Sequence, residues 1–394
     1  MGKSVKPVSI KRFIRFQLPL LGLAGFSFGL GLNFARAMGV AQEAPAQNVL
    51  QNLGAIAAGI DFLTSAPYYD QIRYPVTTPP PFAPETSALQ SPSLDEIIQG
   101  TLTLLKEQNY PTASVSVSLV DLTGDCCAYG RFQDTQARYP ASVVKLFWLV
   151  ALYGQYEAGL LQPDVDVVAD DESLMAHYSN NGASSRVLDA ITQTESGASL
   201  DGAALTEWIT ARKSINTYFQ LADYPDLNIA HKTFPIPDLG LTEREGRDLQ
   251  ILDAMAKAGD ENQLSRNYLT TFAVARLLYE IETGQAISPA YSDRIKQHLK
   301  HSTDPAIWQS EDPNSIEGFF GEYLPADADL YTKLGYTFDD GRQEAAIIAD
   351  ADGKTRFILV VFANDPIYSD SKTKIFPEIA RYVYDQMMVR SGKQ

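Results

Sequence analysis

The strongest constraint on this chain is where its strand-like segments fall: at the two ends of one region, with helical sequence between. Residues 113–121 alternate in polarity and read as a strand, 122–125 as a turn, and 126–131 as the hairpin partner. Three more strands are expected far downstream, over 331–334, 344–350 and 356–362, before a last helix over 375–389. Ser93 is a natural N-cap for a helix running to about Glu107, with Asp95 and Glu96 in its first turn. A long apolar helix is expected from Ser142 to about Leu161, and helical patterning continues to about Gly284. Strands from both ends must pair with one another if their edges are to be buried. The expected fold is therefore α+β, a three-layer α/β/α arrangement. Its antiparallel five-stranded sheet is flanked by helices and carries an inserted all-helical lobe over about 142–285. A cleft between lobe and sheet is where a small-molecule site belongs.

Ahead of this region the chain changes character. Lys3, Lys6, Lys11, Arg12 and Arg15 precede an uncharged apolar run over 16–34, and Ala35-Arg36-Ala37 supplies small residues for cleavage. Residues 1–37 read as a signal peptide or an N-terminal membrane anchor. The expected location is outside the cytoplasm, periplasmic or anchored on the outer face of the cytoplasmic membrane. Residues 38–92 form a linker in which Pro75, Pro79, Pro80, Pro81, Pro84 and Pro92 favour an extended spacer. The folded domain is expected over 93–394.

A net charge of −16 argues against nucleic acid as a partner, because that binding needs a basic footprint. His177, His231, His298 and His301 show neither H-x-H nor H-E-x-x-H spacing, so neither a metal nor another cofactor is expected. Cys126 and Cys127 are adjacent, which puts ordinary disulfide geometry out of easy reach.

Three short motifs carry chemistry. Ser142-Val143-Val144-Lys145 opens a helix, and a three-residue spacing sets both polar side chains on one face. A serine hydroxyl needs a base to become a nucleophile, and a lysine in an apolar wall sheds its charge readily enough to act as one. The N–H groups at a helix start also suit a developing oxyanion. Ser179-Asn180-Asn181 offers a hydroxyl and two amides, able to relay a proton and hold an amide carbonyl. Lys333-Leu334-Gly335 lies on an expected edge strand, where a lysine attracts a carboxylate and a glycine leaves room for a substrate.

In this order and setting the motifs resemble the three-motif set of class A β-lactamases and penicillin-binding proteins, over roughly Ser93 to Val389. The resemblance implies that Ser142 is acylated, with Lys145 as the acylation base or its relay. It implies that Ser179 shuttles the proton to the leaving nitrogen and that Asn181 holds the substrate side-chain amide. Lys333 and Arg342 would attract the carboxylate, with Gly335 beside them and the Ser142 and Tyr336 N–H groups forming the oxyanion hole. The implied partner is a small-molecule β-lactam or a peptidoglycan-type peptide.

Several positions depart from the family pattern. Asn180 replaces the usual aspartate, Leu334 replaces Thr or Ser, and only thirty-seven positions separate Ser142 from Ser179. The family's E-P-E-L-N segment is best matched by Tyr224-Pro225-Asp226-Leu227-Asn228, which puts a tyrosine at the deacylation position. A phenol is a poor base near neutral pH, so slow deacylation follows unless Asp223, Asp226, Glu243 or Glu245 substitutes. Three readings stay open: a β-lactamase-like hydrolase, a D-alanyl-D-alanine peptidase or other acyl-transfer enzyme, and a catalytically weak cell-wall-binding or assembly protein.

Overall fold

Strands from the two ends of the chain do meet. The computed structural model describes residues 74–76, 79–84, 92–124, 126–224, 227–257 and 266–393; the expected leader and most of the linker lie outside them. Strands β1 (Val115–Asp121) and β2 (Ala128–Phe132) form the first hairpin, and β1 pairs along its length with β6 (Arg356–Ala363). The sheet continues through β5 (Gly341–Ala349) and β4 (Asp329–Thr337) to β3 (Lys300–His301), antiparallel throughout, in the order β2-β1-β6-β5-β4-β3. It has six strands, not five. The extra one is two residues long, too short to leave an alternation pattern in the sequence.

Alternating residues of the central strands feed two separate cores. Phe357, Leu359 and Val361 of β6 pack with Ala346 and Ile348 of β5 beneath α1 (Leu94–Glu107). Ile358, Val360, Phe362, Ala345 and Ile347 face the other way, into the core shared with the helical lobe. Both faces are covered, so these strands read as apolar runs and not as a clean two-residue alternation. Helix α1 starts where expected: Ser93 and Glu96 form a reciprocal capping box, and the helix ends at Glu107.

The lobe is built from α2 (Lys145–Glu157), α3 (Asp171–Ala176), α4 (Asn181–Thr192), α5 (Gly202–Gln220), α6 (Gly246–Lys257) and α7 (Thr271–Glu282). Helices α8 (Pro289–Leu299) and α9 (Pro305–Trp308) lead into the sheet's second half, and α10 (Ile375–Arg390) packs beside α1 in the second core. Every residue of α2 from Lys145 to Tyr156 is buried, which makes it the axle of the lobe. Among the described residues no helix is long and apolar enough to cross a membrane. The sulfurs of Cys126 and Cys127 lie side by side. Part of the linker also packs on the domain: Tyr74 is buried with its hydroxyl donating to Glu280, and Ala83 bridges to Ala128.

Candidate active site

Ser142 lies in a 3-10 turn, Ala141–Val144, and not in the first turn of the α-helix, which begins at Lys145. Ala141 holds a φ of 43° and Ser179 a φ of 57°, left-handed values that cost energy in non-glycine residues and concentrate at functional sites. Strand β4 runs past this turn at close range. A Cβ at Gly335 would sit 2.8 Å from the Pro140 carbonyl oxygen and 3.1 Å from the Ser142 nitrogen. Only glycine lets the strand approach so near. Pairing between β3 and β4 stops at Tyr331, so the outer edge of β4 from Thr332 onward has no strand partner among the described residues.

Two lysines converge on one hydroxyl. Lys145 is fully buried; its Nζ donates to the Ser179 carbonyl at 2.6 Å and to Asn181 Oδ1 at 2.8 Å, with Ser179 Oγ at 3.4 Å. Lys333, 1% exposed, donates to Ser179 Oγ at 2.9 Å and to the Leu334 carbonyl at 3.0 Å. Burial, helped by the charge of Lys333, pushes the Lys145 ammonium well below the ordinary lysine range. Burial lowers Lys333 to about 7, against an opposing pull from Glu344. A neutral amine has two N–H groups and one lone pair. The Ser179 carbonyl and the Asn181 side chain occupy both N–H groups of such a Lys145 and leave its lone pair for a proton.

Asn181 is held as firmly as it holds. Its Oδ1 also accepts from Thr233 Oγ1 at 2.9 Å, and its Nδ2 donates to the Pro235 carbonyl at 2.8 Å. This network corrects one expectation. Tyr224 does not line the site: it is buried in an aromatic cluster with Tyr74, Phe147 and Phe219, and its hydroxyl donates to Glu280. The segment beside Asn181 is Thr233–Pro235, so Phe234 is the residue flanked by two contacts to the site. Tyr224-Pro225 and Phe234-Pro235 are both aromatic-Pro pairs, and only the tertiary contact separates them. Among the described residues no carboxylate bonds to Lys145, Ser179, Asn181, Thr233 or Lys333. Asp226 lies outside those residues, and no bond ties Asp223, Glu243 or Glu245 to the site.

Arg342 departs from its expected role as well. It pairs across the sheet with Tyr336 and sits beneath the Phe319 and Tyr336 rings. Its guanidinium donates to the carbonyls of Tyr368, Gly318 and Asp370, so it clamps two loops where a substrate receptor would be open to the cleft. Lys333 is the cation left at the strand edge. The Tyr336 hydroxyl is tied to the Ser369 carbonyl at 2.9 Å, which fixes the backbone that follows Gly335.

The chain resembles known proteins in family and in fold. The model of the beta-lactamase enzyme family matches residues 94–387. No curated protein sequence matches the chain. A variant of the TLA-1 extended-spectrum beta-lactamase is similar with a TM-score of 0.51 at 12% identity, covering 75% of this chain and 99% of that one. The TLA-3 extended-spectrum beta-lactamase is similar with a TM-score of 0.50 at 13% identity, covering 74% and 98%. A beta-lactamase from Chitinophaga pinensis gives 0.49 at 15% identity, covering 74% and 98%. At such identities the first two likenesses are of fold.

Proposed function

Because the chain belongs to the beta-lactamase enzyme family, we propose that it is a serine hydrolase working through an acyl-enzyme on Ser142, with a β-lactam or a related cell-wall peptide amide as substrate. In this reading Lys145, held neutral by burial, takes the proton from Ser142 Oγ as that oxygen bonds to the substrate carbonyl carbon. The negative charge on the carbonyl oxygen is met by the Ser142 and Tyr336 N–H groups. The C–N bond then breaks, the leaving nitrogen receives its proton from Ser179 Oγ, and protonated Lys145, which contacts that oxygen, returns the proton it took from Ser142 to Ser179. Lys333 draws the substrate carboxylate to the open edge of β4, and Asn181 orients its amide side chain.

One observation carries the reading: Lys145 is fully buried, has no carboxylate bonded to it among the described residues and already spends its donors on Ser179 and Asn181. A lysine so placed is costly to keep charged and is suited to act as a base. The absence of a bonded carboxylate from the described site favours slow hydrolysis of the acyl-enzyme, and with it a peptidase or other acyl-transfer role over rapid β-lactam turnover. The basic and apolar residues of 1–34 support export as part of the same proposal. The test is intact-mass analysis after incubation with penicillin. Wild-type protein should gain one acyl group and Ser142→Ala none, with circular dichroism unchanged; equal labelling of both would overturn the assignment.

A further inference from the structure

The four histidines show no metal-ligand spacing in sequence, yet two of them meet in space. His177 follows α3 and stands two residues before Ser179; His301 belongs to β3; Glu311 comes shortly after α9. One ligand atom from each lies within 4.8 Å of the other two. The imidazole rings stack with centroids 4.0 Å apart and planes 9° from parallel. His301 is 4% exposed, and its Nδ1 has no hydrogen-bond partner in the protein. A buried polar atom left unpaired is costly, and an ion would meet that cost.

We propose that His177, His301 and Glu311 bind a divalent transition ion of the zinc class, tying the segment that carries Ser179 to the short outer strand of the sheet. Two imidazoles and one carboxylate favour such an ion over magnesium or calcium, which prefer all-oxygen shells. The His177 ring is hydrogen-bonded to the His298 backbone, the support that orients many ligating histidines through their second nitrogen.

Tetrahedral zinc at about 2.0–2.1 Å from each ligand sets ligand atoms roughly 3.3 Å apart. The trio therefore closes on loading, by a tilt of the stacked rings and a swing of the half-buried Glu311. The ligands come from three separate stretches of chain, so one ion cross-links them. Ser179 is held at a left-handed φ only two residues from His177. The ion is not part of the proposed acyl transfer; it braces the segment that presents Ser179.

The test uses the full chain without an affinity tag, stripped with a chelator and titrated with Zn²⁺ by calorimetry and with Co²⁺ by visible absorption. One ion per chain and a tetrahedral cobalt spectrum are expected. His301→Ala and Glu311→Ala should each weaken binding about tenfold or more. Glu311→Ala alters a half-buried loop residue and decides the case should His301→Ala fail to fold. The inference is overturned by wild-type protein that binds no ion saturably, or by Glu311→Ala binding as tightly as wild type. Penicillin labelling of Ser142 in the stripped protein is a separate readout, so failure here leaves the serine-hydrolase reading to its own test.

Discussion

Lys145 and Lys333, both buried, direct their ammonium nitrogens at the same hydroxyl, Ser179 Oγ, at 3.4 and 2.9 Å. Two cations sharing one hydroxyl in a dry site repel one another, and that repulsion adds to burial in favouring a neutral Lys145. The pair brings three individually weak sequence motifs together at one point.

This centre predicts a stability profile. A lysine whose folded pKa is depressed favours the neutral form in the fold, so the unfolded chain binds more protons between the folded value and about 10.5. Stability should therefore rise with pH through that window, by up to about 1.4 kcal/mol per pH unit for each such group. Glu344, raised to about 8 by burial, acts in the opposite direction below that pH, so the measurement belongs between pH 8 and 10. Urea unfolding should give a rising stability for wild type and a shallower rise for Lys333→Met.

Lys145→Ala should slow acylation about 100- to 10,000-fold, the usual worth of general-base help. Stopped-flow labelling with a fluorescent penicillin measures it. A change under threefold would remove Lys145 from the mechanism.

Gly335→Ala tests the close passage of β4 over Ser142. Its Cβ would stand 2.8 Å from the Pro140 carbonyl, so strand or turn must shift. A displacement near 1 Å at a reacting group costs about 100-fold in rate. Acylation should fall by one to two orders of magnitude, with about 1–3 kcal/mol lost in stability from the overpacking. Unchanged acylation kinetics would show that the contact does not position the nucleophile.

The deacylation segment gives a paired prediction. Tyr224→Phe removes a buried hydroxyl from Glu280 and should cost about 1–3 kcal/mol of stability, yet leave the acyl-enzyme lifetime as it was. Phe234→Glu adds a carboxylate between the two contacts to Asn181 and should shorten that lifetime. Mass spectrometry over time reads both. A Tyr224→Phe protein with altered deacylation and native stability would restore Tyr224 to the site.

Arg342 and Lys333 should separate by substrate charge. Lys333→Ala should weaken capture of an anionic substrate more than of its esterified analogue. Arg342→Ala strands carbonyls of Gly318, Tyr368 and Asp370 and should lower stability, by roughly 1–3 kcal/mol per stranded group, with little change in charge preference. Thermal unfolding and the ratio of the two acylation rates distinguish them.

Whatever depends on local periodicity and on order along the chain was legible in the residues alone. The capping box at Ser93, the first hairpin and the last helix follow from caps, turns and alternation, and the late strands from short apolar runs, all of which neighbouring residues set among themselves. The order of Ser142, Lys145, Ser179 and Lys333 was enough to identify the family, because matched motifs in sequence constrain one another. The tertiary structure decided whatever depends on burial or on distant partners. It assigned Arg342 to three backbone carbonyls, Tyr224 to Glu280 and Thr233–Pro235 to Asn181, because a side chain's role follows from the atoms packed around it. The depressed lysines and the meeting of His177, His301 and Glu311 have the same origin. Desolvation and proximity are properties of space, and residues more than a hundred positions apart leave no periodic trace of them.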